Sequence, residues 1–264
     1  SPDPQQIAAQ LAADPSIKAV YIQLVETSTG TLFDVKAISE VVARTPAILV
    51  VDAISGLGAD ELPVDAWGVD VCVAGSQKAL MIPPGLSFLS VSPKAWKLAE
   101  TSTLPKFYFN AAAARKSLEK NDTPFTPAHT LVGALNVALD LITEEGIDAV
   151  VARHARLARA VRAGAQALGL TLFSQRPANA LTAIQVPDGV DAATIISALK
   201  DDGIYVAAGQ DAAKGKIFRV AMMGYAVDAD VVNALAGIER ALQKNGVAFT
   251  PGAGVAAAQQ ALLA

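Results

Sequence analysis

Short, almost wholly apolar runs constrain this chain's fold more than any other feature. "KAVYIQLV" (18–25) reads as a buried strand, and "AILVVDA" (47–53), "VDVCVAG" (69–75) and "LSFLSVS" (86–92) are short apolar runs bounded by Gly, Pro, Asp or Ser. A strand with one wet face alternates apolar and polar residues, whereas a strand covered on both faces stays apolar throughout. Between the first two runs, "DVKAISEVVAR" (34–44) has helical spacing. Buried strands separated by helices predict an α/β fold built on a mostly parallel sheet.

The pattern changes from about Thr126. "HTLVGALNVALDLITEEG" sets Leu131, Leu135, Leu139 and Ile142 about one helical turn apart. A second long helix follows over 147–169, basic along one face through Arg153, Arg156, Arg159 and Arg162. That row reads as a solvated face. "LTAIQV" (181–186), "IYVAAG" (204–209) and "IFRVAMM" (217–223) read as strands, with helices over 191–203 and from Asp228 onward. The expected division is therefore residues 1–145, an α/β layer, and 146–264, a smaller α+β unit. The tail "TPGAGVAAAQQALLA" is either a short docking helix or frayed.

Composition narrows the function. Hydrophobic residues make up 52% of the 264 and charged residues 17%, which suits a packed globular protein and not a disordered one. A net charge of -4 gives no support for a nucleic-acid or acidic-membrane partner. No apolar run approaches a membrane span, and none has the form of a signal peptide. One cysteine, Cys72, cannot make an internal disulfide and fits a reducing compartment, so a cytoplasmic protein is expected. With only His129 and His154 beside it, no transition-metal ligand set is recognisable. Both histidines read as helix residues rather than catalysts.

In open α/β sheets, ligands bind outside the carboxyl ends of the strands. "VYIQLV" exits into Glu26-Thr27-Ser28-Thr29-Gly30, "ILVV" into Asp52-Ala53-Ile54-Ser55, and "VDVCVAG" into Ser76-Gln77-Lys78. If these strands are neighbours, hydroxyls, a carboxylate and an amine meet in one crevice. Each residue also has a plain structural reading. Asp52 could cap a turn, Ser28 could be ordinary turn chemistry, Arg219 could snorkel from an edge strand, and Thr126 could be a helix N-cap.

Taken in order, "ETSTG", "VDAISGLG", "GVDVCVAGSQKALMIPPG" and, far downstream, "FRVAMMGY" resemble the class V (fold type I) aminotransferases that use pyridoxal 5′-phosphate. The similarity is nearest to the alanine–glyoxylate, serine–glyoxylate and serine–pyruvate group. It implies amino-group transfer from alanine or serine to glyoxylate or another 2-oxo acid. Lys78 would be the Schiff-base lysine and the acid/base for the proton shift. Asp52 would face the ring nitrogen, Ile54 would press on the ring, Ser28 would bond near its ring oxygen, and Gln77 would contact the phosphate. Arg219 would grip the substrate carboxylate with its planar fork. "TPFTPAHTL" (123–131) resembles a segment that crosses a dimer interface, with Thr126 reaching the partner's phosphate. A homodimer with shared active sites is implied.

The match starts near "PQQIAAQLAADPSIKAV", where the family's large domain is already half built. The resemblance thus makes residues 1–145 the C-terminal part of the cofactor domain, and the chain a fragment without the family's N-terminal phosphate loop. Four other readings compete. The chain could be a non-catalytic dimerising subunit of the same fold, although Lys78 and Asp52 have no evident packing role. It could be an aminoethylphosphonate transaminase, which also needs an arginine. A cysteine desulfurase would need an exposed cysteine, and Cys72 lies within an apolar run. A nicotinamide-binding domain lacks its glycine-rich turn after the first strand.

Overall fold

A computed structural model describes residues 1–264. Helix α1 (Pro4–Ala13) begins on Asp3, whose side chain accepts from the Gln5 N–H, with Pro4 at the first position. Strands β1 (Ala19–Gln23), β2 (Val25–Glu26) and β3 (Thr31–Leu32) follow, then α2 (Val35–Val42), β4 (Ile48–Asp52), α3 (Val64–Trp67), β5 (Val71–Gly75) and β6 (Ser87–Val91). The principal sheet has the order β1-β4-β5-β6. β1, β4 and β5 run parallel, and β6 is antiparallel to β5. Each of the four apolar runs is a strand of this sheet, so the mixed, mostly parallel α/β architecture is as expected.

Register fixes the site. Gln23 pairs with Asp52, and Asp52 with Val73. The three parallel strands therefore end side by side, and their exits open on the same rim. β2 and β3 form a two-stranded hairpin next to that rim.

After β6 come α4 (Pro93–Ala99), α5 (Ala111–Leu118), α6 (His129–Glu145), α7 (Ile147–Ala167), β7 (Leu181–Gln185), α8 (Ala192–Asp201), β8 (Ala207–Ala208), β9 (Ile217–Ala221), α9 (Asp228–Lys244) and α10 (Ala253–Leu263). A second sheet has the order β7-β9-β8. Two large apolar cores result. One joins Leu11, Ile22, Val35, Ile38, Leu49 and Val51 with Ala178, Ala180 and Leu181 from the second half of the chain. The other packs Leu157, Val161, Ile195, Phe218, Leu235, Ile238 and Leu242. No helix is long and apolar enough to cross a membrane.

The strand expected over 204–209 shrinks to Ala207–Ala208. Gly203 takes a positive φ of 78°, and the Ile204 N–H donates back to the Leu199 carbonyl. That bond ends α8 in a Schellman-type stop, so Ile204 serves the helix and cannot join the ladder.

The arginine row of α7 is not a solvated face. Arg153 donates to the Gly224 and Ala226 carbonyls, Arg156 to Asp228 and the Leu262 carbonyl, and Arg162 to the Ala178 carbonyl. Only Arg159 is exposed, and it too reaches a carbonyl, that of Ala261. A guanidinium carries five donors, so it can tie several carbonyls where a lysine could hold fewer in place.

These bonds seat the tail, which is a docked helix. α10 lies against α7 at Gly164, where a Cβ would stand 2.8 Å from the Gly254 carbonyl oxygen. Glu239 accepts the N–H groups of Gly252, Gly254 and Val255 at the N-terminal end of α10. Arg156 and Arg159 meet the carbonyls at its C-terminal end, so charge matches the helix dipole at both ends. Loss of such a cap costs about 0.5–2 kcal/mol. Glu239→Ala is thus expected to lower the denaturation midpoint and expose 250–264 to protease first. A tail as resistant as the wild type's would show that packing alone holds it.

Candidate active site

The rim formed by β1, β4 and β5 surrounds a cleft of about 760 Å³. Tyr21, Gln23, Glu26 and Thr27 line it from the first exit, Asp52, Ile54 and Ser55 from the second, and Gln77 and Lys78 from the third. The structure therefore brings Asp52, Ile54, Gln77 and Lys78 together.

Asp52 ends β4 with one carboxylate oxygen, Oδ1, accepting the Ile54 N–H at 2.9 Å. Its turn-capping role is real, but it occupies only one of the two oxygens. No ion pair joins it to Lys78, so the carboxylate and the amine are not consumed by each other.

Lys78 owes its place to Ser76. The fully buried Ser76 hydroxyl donates to the Pro83 carbonyl at 2.8 Å and accepts the Leu86 N–H at 3.2 Å. Its backbone N–H donates to the Leu86 carbonyl, and its carbonyl accepts from Ile82. One serine closes the loop at its base and holds Lys78 out at the cleft. Within the loop the Met81 N–H donates to the Lys78 carbonyl at 3.0 Å, and Met81 takes a left-handed φ of 64°.

Ser28 does not line the cleft. Its hydroxyl and its backbone N–H both donate to Glu26 Oε1, at 2.6 and 2.9 Å. The Ser28 hydroxyl, and Gln23 in support, hold Glu26 below the usual carboxylate range against the opposing effect of burial. The single hydroxyl proton of Ser28 is thus committed to Glu26, leaving its oxygen as an acceptor only.

Arg219 is not on an edge strand. β9 is the middle strand of its sheet, and the residue is only 7% exposed. Its Nε donates to the Ala208 carbonyl at 2.9 Å, and its Nη1 leaves that sheet to reach the Thr27 carbonyl at 2.6 Å. The guanidinium therefore stands behind the cleft wall, bound to the turn that carries Thr27. Thr126 is exposed in the connection between α5 and α6 and does not line its own chain's cleft. Nor is it the N-cap of α6, a position held by Ala128.

Glu26, Thr27, Ser55 and Tyr21 line the cleft beyond the residues to which the resemblance gives a role. Thr27 and Ser55 share a hydrogen bond of 2.6 Å that ties the first exit to the second. Their signal was present, since both lie within the quoted strand exits. Pairing them needs the β1–β4 register, which a sequence does not state. Cys72 is buried in β5, where burial and the charge of Asp52 push its thiol up. His154 is a buried helix residue, as expected, and makes two hydrogen bonds.

The aminotransferase class-V family model matches residues 1–234. A protein named soluble hydrogenase, small subunit, from a Synechococcus species is 46% identical over 250 residues, covering 93% of this chain and 65% of the relative. The serine–glyoxylate aminotransferase of Methylorubrum extorquens is 38% identical over 272 residues, covering 98% of this chain and 68% of the relative. Among solved structures, pyridoxamine–pyruvate aminotransferase from Mesorhizobium loti superposes with a TM-score of 0.94 at 32% identity, over 99% of this chain and 69% of that one. The chain thus spans about two thirds of the length of the relatives it matches.

Proposed function

The chain belongs to the class-V aminotransferases, a family of pyridoxal-phosphate enzymes, and from that premise we propose that it carries the lysine-bearing part of a site that moves an amino group from alanine or serine to glyoxylate or another 2-oxo acid. One observation carries the reading. An amine, Lys78, and a carboxylate with one oxygen free of protein partners, Asp52, line a single cleft without pairing.

That donor set fits the cofactor. Bound there, pyridoxal phosphate supplies an aldehyde for the amine and a ring that accepts the electron pair released at the substrate's α-carbon. Lys78 would hold it through Nζ and would hold or deliver a proton at that atom. The open oxygen of Asp52 would keep a proton on the ring nitrogen, a charge-assisted bond of about 1.5–3 kcal/mol. Ile54 offers an apolar face beside it, and Gln77 is a donor for phosphate. Ser28 has no proton left for the ring oxygen while Glu26 is charged, so it can act there only as an acceptor. Arg219 grips the substrate's α-carboxylate. Its Nε and Nη1 each spend one hydrogen on a carbonyl, which leaves both Nη2 hydrogens and one on Nη1 for a carboxylate beside the Thr27 turn.

The assembly reading goes with it: a cytoplasmic homodimer in which Thr126 serves the partner's site. Its support is the exposed apolar segment around Thr126, where Phe107 and Phe109 are 82% and 91% exposed. Large exposed apolar groups gathered in one place mark interaction surfaces. A non-catalytic subunit of the same fold and an aminoethylphosphonate transaminase are the rival readings.

Pyridoxal phosphate added to the protein and reduced with borohydride is expected to mark Lys78. A label on another lysine would remove the assignment. Arg219→Lys is expected to raise the KM for amino and oxo acids about 10–100-fold, the loss of one charge-assisted bidentate contact, with the yellow colour retained. An unchanged KM would count against Arg219, and an amine without a carboxylate accepted equally well would favour the phosphonate reading.

A further inference from the structure

We propose that His154 and Arg153, on α7, are positioning residues for the Lys78 turn, acting through the backbone of Gly224. Nothing on α7 lines the cleft. Yet Gly224 lies directly against the outer side of that turn: a Cβ built on it would stand 3.0 Å from Met81 Cγ and 3.5 Å from the Lys78 carbonyl oxygen. Its φ of +72° and this close approach both require glycine.

Both polar groups of Gly224 are taken by α7. Its N–H donates to His154 Nε2 at 2.9 Å, and its carbonyl accepts from Arg153 Nη1 at 2.9 Å. His154 is fully buried, and its Nδ1–H donates to the Val150 carbonyl at 2.7 Å. That second bond fixes the neutral tautomer and aims the Nε2 lone pair at Gly224. Arg153 is itself gripped by both oxygens of Glu145, at 2.7 and 2.9 Å, from the end of α6. Gly224 is thus fixed at both ends, and its bare α-carbon buttresses the turn. Met81 keeps a left-handed φ of 64° on the other side of the contact, a conformation that persists only where neighbours enforce it. The contacts alone carry the positioning claim; its value to catalysis rests on Lys78 being the reactive amine proposed above.

Amide exchange measures the turn without any cofactor. The Met81 and Ile82 amides donate to the Lys78 and Ser76 carbonyls and report its closure. His154→Leu, which keeps the volume and loses the acceptor, is expected to speed exchange at both about tenfold relative to amides of β4 and α2, the effect of one buried hydrogen bond. His154→Gln, which can accept and donate, is expected to restore most of the protection. Gly224→Ala leaves α7 intact and is expected to loosen the same two amides, which keeps the test open should His154→Leu fail to fold. Unchanged exchange at Met81 and Ile82, acceleration spread evenly over the chain, or a glutamine variant no better than leucine would each overturn the proposal. Borohydride trapping of pyridoxal phosphate is run alongside. Local loosening as expected with no label on Lys78 in the unsubstituted protein upholds the positioning role and sinks the aminotransferase reading instead.

Discussion

Lys78→Ala is expected to reduce transamination at least about 10³-fold, because general acid–base catalysis alone contributes about 10²–10⁴ and the covalent attachment is lost with it. Stability is expected to change by no more than about 0.5 kcal/mol, since Lys78 makes no hydrogen bond or ion pair through its side chain and is only half-buried. The loop's closure depends on Ser76, which the substitution leaves alone. Lys78→Arg separates the two roles of the amine. It keeps the positive charge at the cleft but cannot lose its proton near neutrality, so it is expected to be as inactive as the alanine variant. Partial rescue of the alanine variant by a small primary amine in solution is expected, because that amine can shuttle the proton the side chain carried. A measured rate within tenfold of the wild type in Lys78→Ala would move the chemistry to another residue.

The strands of the principal sheet were legible in the sequence to within a residue or two because each run is apolar almost throughout, although the second covering layer that such runs imply is not complete in this chain: Tyr21 of β1 is 75% exposed and Leu89 of β6 53%. Asp52, Ile54, Gln77 and Lys78 were legible for a related reason. Parallel neighbours end on one rim, so the exits of three such runs must share it. Ser28 and Arg219 were less so. Glu26 takes the Ser28 hydroxyl through a contact two residues back, and the Thr27 carbonyl takes Arg219 across 192 positions. Neither preference shows in local pattern. The α7 arginines misled for the opposite reason. Periodic cations usually mark a wet face, but these run under α10 and the start of α9, whose carbonyls were free to accept them. Ile204 misled because an apolar residue after a helix can belong either to the next strand or to the helix stop, and only the Gly203 φ decides.

Asp60→Ala is expected to be the most destabilising single change near the site, by about 2–5 kcal/mol. Asp60 is 2% exposed on the loop that follows Asp52, and its carboxylate accepts the N–H groups of Asn179 and Ala180 at 2.9 and 3.2 Å. It thereby fixes the stretch leading into β7, whose Ala178 and Ala180 pack in the core beneath the cleft. Alanine would leave one buried donor, of Ala180, and one part-buried donor, of Asn179, unpaired, at about 1–3 kcal/mol each at full burial. It would also leave the half-buried Arg162, on the Ala178 carbonyl, without the charge that favours it. The melting temperature of a chain this size should fall by roughly 2–4 °C per kcal/mol. Asp60→Asn keeps one acceptor and should lose about half as much. Acid adds an independent check. Burial raises the Asp60 carboxyl above its ordinary 3.8 against the pull of the two N–H groups and Arg162, so the native state holds this proton more tightly than the unfolded chain. That contribution is complete below the unfolded value and is lost as pH rises through the folded one. His154 has the reverse sign: burial lowers it below 6.5, so its contribution is present above that value and is lost as pH falls through the folded one. In the wild type the two oppose each other across mildly acidic pH. Without Asp60 nothing offsets the histidine and the depressed carboxylates such as Glu26 and Glu145, so the variant's stability should decline more steeply between about pH 6.5 and 4, as read from urea midpoints at each pH. Parallel curves for the two proteins would mean that Asp60 keeps its charge throughout and acts purely as an acceptor.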